Sequence, residues 1–189
     1  ISGGRAGWNA VTSSDPNAAP NFGHADHVKH ADRYRRAEEF VDVVLGLWES
    51  FDGDAFLRDR ASGRYYDPTK LRTLDHQGEF FTVRGPLNAP RSPQGRPVMV
   101  QAGSSESGKD LAARTAEVVF TVQPTLGSAQ KFYADVKARA SAFGRDPEQI
   151  KILPGLFPVV GRTQEEAQAK LDELQDLILP EVGLGLLEG

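Results

Sequence analysis

The segment Pro97-Val98-Met99-Val100-Gln101-Ala102-Gly103-Ser104-Ser105-Glu106-Ser107-Gly108-Lys109-Asp110-Leu111-Ala112-Ala113-Arg114 passes from an apolar run, through a turn of small residues, into helical spacing. A strand, a small-residue turn and a helix N-terminus in succession make the unit from which parallel sheets are built. Such a turn leaves backbone N–H groups unpaired at the positive end of a helix dipole, and small side chains let an anion come close to them. Two readings stand side by side. In one, Gln101 to Gly108 is a phosphate seat. In the other it is an ordinary βα loop, with Ser104 or Ser105 as the N-cap and Glu106 to Gly108 as the first turn.

The same rhythm continues downstream: strand 97–101, helix about 106–115, strand 117–122, helix about 127–143, strand 151–160 and helix about 163–178. Phe132, Val136, Ala140 and Phe143 share a face of the second of these helices, which Gly144 and Asp146-Pro147 stop. Thr163 and Glu166 have the spacing of a capping box for the last one, whose apolar residues are Ala167, Leu171, Leu174 and Ile178. The tail Pro180 to Gly189, rich in Gly and Leu, reads as a connection that was cut.

Upstream, Gly7-Trp8-Asn9-Ala10-Val11-Thr12-Ser13 is a short strand, followed by a loop from Ser14 to His24. A helix from about Asp26 to Ser50 follows, with Tyr34, Ala37, Val41, Val44, Leu45 and Trp48 at three- and four-residue steps. Residues 51–96 lack helical period and carry many Gly and Pro, so they form an extended insertion whose best strand is Phe80-Phe81-Thr82-Val83. Asp75-His76-Gln77-Gly78 before it has the look of a hairpin. Four strands of a parallel α/β pattern result. They fit an open doubly wound sheet or a piece of a (β/α)₈ barrel, which in full takes about 250 residues. The pattern alone does not separate these.

With 189 residues, 39% hydrophobic and 25% charged, the composition is that of one globular domain spanning 1–189. A net charge of −4, with Lys and Arg scattered, argues against a nucleic-acid face. No apolar stretch approaches a membrane span, and Ile1-Ser2-Gly3-Gly4-Arg5 has no signal-peptide core. The chain has no Cys, which removes disulfides, thiol catalysis and Cys-ligated metals, and the simplest address is the cytoplasm.

Several separate motifs carry a family resemblance in order: Gly7-Trp8-Asn9-Ala10-Val11-Thr12-Ser13, Asn21-Phe22-Gly23, His30-Ala31-Asp32-Arg33-Tyr34, Val83-Arg84-Gly85-Pro86-Leu87 and Pro97-Val98-Met99-Val100-Gln101-Ala102-Gly103. Together they resemble the bacterial-luciferase-like flavin monooxygenases, in the branch of nitrilotriacetate monooxygenase, pristinamycin synthase and dibenzothiophene-sulfone monooxygenase. The resemblance covers essentially the whole chain. It implies part of a TIM barrel, about strands four to seven, and an FMNH₂- and O₂-dependent monooxygenase whose reduced flavin comes from a separate NAD(P)H-dependent reductase. It also implies that strands carrying part of the pocket are missing.

His30 and Tyr34, four apart on one helical face, can converge on one anion or ring. In the family these positions lie against FMN. Without the resemblance Tyr34 is equally a core aromatic and His30 a surface residue. Ser104 and Ser105 match the family's phosphate-binding turn. Asn9 and Thr12 fall near the C-terminal end of the first strand, the catalytic side of a barrel, where amide and hydroxyl can meet the polar edge of the flavin; a cap for the next turn is the other role open to Asn9. No acid–base dyad is expected, because the flavin carries the oxygen chemistry while the protein orients it and excludes water. His24, His27 and His30 recur at steps of three, which drift around a helix and disfavour a shared metal. Arg58-Asp59-Arg60 reads as solvated surface, and the insertion as a lid bordering a substrate entrance.

Two functions of different kinds follow. One is part of a monooxygenase acting on a small organosulfur, aminopolycarboxylate or similar molecule. The other is a non-catalytic flavin-binding or oligomer-forming protein of the same ancestry, a homo-oligomer being one way to cover the exposed edges of a partial barrel. An unrelated nucleotide-binding sheet is disfavoured, since no Gly-x-Gly-x-x-Gly fingerprint is present.

Overall fold

A computed structural model describes residues 2–13 and 15–187, in two compact units, 1–154 and 155–189. Ile1, Ser14, Glu188 and Gly189, and with them the ends of the loop and tail read above, lie outside the described residues.

The first unit carries β1 (Gly7–Asn9), α1 (His30–Trp48), the short strands β2 (His76–Gln77) and β3 (Thr82–Val83), β4 (Val98–Gln101), α2 (Glu106–Thr115), β5 (Val118–Thr121), α3 (Leu126–Ala142) and β6 (Lys151–Pro154). Strands β1, β4, β5 and β6 form one parallel sheet in that order, and β2 pairs antiparallel with β3. The order never reverses. A doubly wound sheet needs a point where strand order switches, so that helices cover both faces. Right-handed crossovers in a monotonic order instead keep every helix on one face, as in a barrel wall.

The burial follows this arrangement. Met99 of β4 and Val119 of β5 are fully buried on the helix-bearing face. On the other face Val98, Phe120 and Leu153 remain 38%, 44% and 52% exposed. Phe120 and Leu153 are direct partners across the β5–β6 ladder, which makes the open face continuous.

Two apolar clusters weld the helices to the sheet. Ala112, Ala113, Ala116, Val119, Phe132, Val136, Ala140 and Ile150 join α2, β5 and α3. Val41, Met99 and Leu111 join α1, β4 and α2, with Trp8, Tyr34, Leu45 and Trp48 packed around them. Trp8 stands edge-on between Phe40 at 6.0 Å and Trp48 at 5.4 Å. The alanines matter here, because small side chains on α2 let α3 and β5 approach closely.

Several boundaries differ from expectation. Helix α1 begins at His30, not near Asp26, because the preceding segment is held by Arg33: its guanidinium donates to the Ser13 carbonyl and meets His27 Nε2 at 2.7 Å. Part of the loop after β1 is a 3₁₀ helix, Pro16–Phe22, capped by the Asp15 carboxylate. Strand β6 stops at Pro154 instead of 160, since Pro154 and Pro158 supply no N–H to a ladder. Phe143 is the C-cap residue of α3 and is half-exposed, unlike Phe132, Val136 and Ala140.

The second unit holds α4 (Gln164–Asp176) and α5 (Pro180–Leu187). Thr163 caps α4 by accepting from the Glu166 N–H at 3.2 Å, but the Glu166 carboxylate reaches back to the Arg162 N–H, so the expected reciprocal box is only half formed. The tail read as a connection is helical from Pro180, whose fixed φ suits a first helical turn. No helix among the described residues is long and apolar enough to cross a membrane.

Candidate functional site at the C-terminal edge of the sheet

Parallel pairing brings the C-terminal ends of β1, β4, β5 and β6 to one edge. At that edge the loop leaving β1 stays tied to β4: the Ala10 N–H donates to the Val100 carbonyl at 3.1 Å, and Gln101 Nε2 donates to the Ala10 carbonyl at 2.8 Å. Gln101 is buried, and a glutamine closing an apolar strand was the available sign of this tie in the sequence.

The turn between β4 and α2 is capped by Ser105, whose extended backbone (φ −68°, ψ 164°) lets Oγ accept from the Gly108 N–H at 3.1 Å. The Lys109 N–H closes the first helical bond on the Ser105 carbonyl. Among the described residues the N–H groups of Glu106 and Ser107 have no acceptor, so they point out at the positive end of α2. The bland reading of this turn and the anion reading are therefore compatible: Ser105 is the N-cap, and the donors beside it are free.

Tyr34 completes the turn from the other side. Its ring packs against the Val41, Met99 and Leu111 cluster, and its hydroxyl lies over Gly103 and Gly108. A Cβ on Gly108 would stand 2.9 Å from the Gly103 Cα and 3.0 Å from the Tyr34 hydroxyl oxygen, so both positions need glycine for the strand end, the helix start and the Tyr34 hydroxyl to approach this closely. One helical turn earlier, the exposed His30 ring stacks obliquely on Tyr34, with centroids 4.7 Å apart and planes at 44°. The structure thus brings His30, Tyr34, Ser105 and two glycines together. Ser104 is exposed on the same turn.

Asn9 and Thr12 belong to the loop end of β1. Asn9 is exposed and, in register with Val100, lies on the sheet face away from the helices. Thr12 is half-buried, and neither side chain makes a hydrogen bond among the described residues. His24, His27 and His30 do not converge; His27 meets Arg33, and no metal-holding group of three acidic or imidazole side chains occurs among the described residues.

Two charged arrangements of the first unit were missed in the sequence, because each joins residues far apart along the chain. Lys109 and Arg139 bind the carboxylates of Glu106, Asp135 and Asp110 between α2 and α3. Lys109, then Arg139, hold the Glu106 carboxyl below its usual range, while Asp135 and Glu106 raise Lys109. On α1, Glu39 accepts the N–H groups of Phe80 and Phe81 at 2.9 and 2.8 Å and meets His76 Nε2 at 2.9 Å, pinning the β2–β3 hairpin to the helix. Burial pushes the Glu39 carboxyl up, but His76 and the two N–H donors outweigh it and hold the group low.

The residues of the turn fit a phosphate group: free N–H donors, a hydroxyl cap, a phenol and an imidazole beside two glycines, with the Glu106 carboxylate drawn aside.

Comparison with known proteins agrees with this architecture. The profile of the luciferase-like monooxygenase family matches residues 1–182. The chain is 57% identical over 188 residues to N-acetyl-S-(2-succino)cysteine monooxygenase of Bacillus subtilis (strain 168), covering 100% of this chain and 43% of that protein. It is 54% identical over 187 residues to nitrilotriacetate monooxygenase component A of Aminobacter aminovorans, covering 99% and 41% respectively. Among solved structures, a riboflavin lyase with modified FMN and riboflavin superposes with a TM-score of 0.87 at 39% identity, over 95% of this chain and 40% of that one. A long-chain alkane monooxygenase superposes with a TM-score of 0.84 at 40% identity, over 92% and 40%. The chain therefore spans about two fifths of the length of these relatives and corresponds to part of their barrel. A monotonic parallel sheet, a glycine-floored turn at its C-terminal edge and these likenesses converge: the chain belongs to the luciferase-like, flavin-dependent monooxygenase family.

Proposed function

We propose that this chain supplies the FMN-phosphate seat of a two-component monooxygenase that uses FMNH₂ and O₂ to hydroxylate or cleave a small organic molecule. The observation that carries the reading is the Tyr34 hydroxyl held over Gly103 and Gly108 beside the free N–H groups of Glu106 and Ser107. Reduced FMN, when bound, supplies the electrons for oxygen activation. Ser105 and the free N–H groups hold its phosphate, the Tyr34 hydroxyl donates to the same group, and His30 flanks it. Ser104 adds a second hydroxyl at the rim. Asn9 and Thr12, at the loop end of β1, face the polar edge of the flavin ring and fix its orientation.

The substrate class proposed, an organosulfur, aminopolycarboxylate or similar compound, follows the relatives named for a succinylated cysteine and for nitrilotriacetate. The partner proposed is an NAD(P)H-dependent flavin reductase, since one relative is named as a component of its monooxygenase and another as part of a multi-subunit synthase.

The test is an anaerobic titration of FMN and FMNH₂ into the protein beside a Tyr34→Phe, Ser105→Ala double variant. Saturable binding that the variant loses supports the reading. Equal binding by both moves the phosphate elsewhere and overturns it.

A further inference from the structure

Glutamate in the first turn of a helix ordinarily interacts with its own helix N-terminus, where negative charge is favoured. Glu106 does not follow this. It is the first residue of α2 and largely exposed, yet both carboxylate oxygens are taken sideways: Oε1 by Lys109 Nζ at 2.6 Å and Oε2 by the guanidinium of Arg139 on α3. Lys109 Nζ is further anchored by Asp135 at 2.5 Å, and Arg139 by Asp110 at 2.6 Å and Asp135 at 2.8 Å. Those bonds to Asp110 and Asp135 already tie α2 to α3. The Arg139 contact to Glu106 is a further bridge between the same helices and the Lys109 contact lies within α2, and both reach the residue whose N–H is free.

We propose that Lys109 and Arg139 are positioning residues for the anion seat: they draw the Glu106 carboxylate across to α3 and so keep it off the donors of Glu106 and Ser107. The inference rests on the reading of this turn as a phosphate seat. A carboxylate released there would occupy the same donors in competition with the ligand and repel its charge. The two cations thus act through Glu106 and touch no ligand themselves.

The experiment compares wild type, Arg139→Gln and Lys109→Met, each with and without Glu106→Gln, by FMN titration and by the pH dependence of the Ser107 amide signal in NMR. The expected result is a rise in the FMN dissociation constant of roughly three- to tenfold in either single variant, returned toward wild type by adding Glu106→Gln. A merely structural network would give a loss that Glu106→Gln does not restore, or deepens, and that result overturns the proposal. The Ser107 amide decides independently of flavin. In Arg139→Gln it should follow a carboxylate titration that disappears with Glu106→Gln; an amide insensitive to pH in both overturns the proposal. If wild type binds no FMN, the phosphate reading fails while the amide still decides the clamp.

Discussion

Gly103 and Gly108 approach so closely across the β4–α2 turn that a Cβ on Gly103 would stand 3.0 Å from the Gly108 Cα. Backbone cannot swing aside as a flexible side chain can. Replacing Gly108 by Ala should gain about 1 kcal/mol of helix propensity but lose about 1–3 kcal/mol to overpacking, so the second effect wins. Gly108→Ala is expected to unfold at lower denaturant and to bind FMN less tightly; a variant as stable as wild type with full affinity would mean that the turn opens freely.

Tyr34 and Ser105 should separate stability from binding. The Tyr34 hydroxyl has no protein partner among the described residues, so Tyr34→Phe should leave unfolding within about 0.5 kcal/mol of wild type, while FMN affinity falls roughly tenfold or more through loss of a bond to a charged group. Ser105→Ala removes the bond to the Gly108 N–H and should cost about 1 kcal/mol of stability as well. Denaturant unfolding beside flavin titration reads both.

The hairpin clip should be acid-labile. Glu39 is held below the ordinary carboxylate range in the folded chain, so its contribution is complete above the unfolded value of about 4.3 and is lost as pH falls through the lower folded value. Exchange of the Phe80 and Phe81 amides should therefore quicken in acid, relative to the Gly108 amide on α2, and Glu39→Gln should show the quickened exchange already at neutral pH. Equal protection in Glu39→Gln would show that packing of Phe81 on Phe40 holds the hairpin instead.

Gln101→Leu keeps the volume and removes the amide that donates to Ala10. The half-buried Ala10 carbonyl then loses its side-chain partner, at a cost of about 1–3 kcal/mol. The loss should be local: amides of β1 should exchange faster, while those of α3 stay protected.

The legible parts of the fold are those whose signals are local. Val98 to Val100 followed by Gly103 and a Ser105 cap announces a strand, a turn and a helix within one window, and helix 106–115 ends where its spacing says. The run Leu156-Phe157-Pro158-Val159-Val160 reads as strand by composition, but prolines cannot join a ladder and pairing ends at Pro154. Pro180 to Leu187 reads as a connection because Gly183 and Gly185 weaken a helix, yet the fixed φ of Pro180 opens one there. His30, Tyr34 and Ser105 were legible as a candidate site through helical spacing and family likeness. Glu39 and the Lys109–Arg139 pair were not, since their partners lie tens of residues away and no local pattern announces them; Gln101 showed only as a glutamine closing an apolar strand, with nothing nearby to name its partner.

The link from Gln101 to Ala10 spans 91 positions of sequence, whereas β4, α2, β5, α3 and β6 each meet elements adjacent in the chain. Closing a long loop costs chain entropy before any contact repays it, so near neighbours along the chain associate first. The β4–α2 turn should thus form in the early half of the first unit, and Tyr34 should arrive with the late one. During refolding, protection of amides in α2 and α3 should precede protection at Ala10, and for that interval Gly103 and Gly108 stand without the Tyr34 hydroxyl over them.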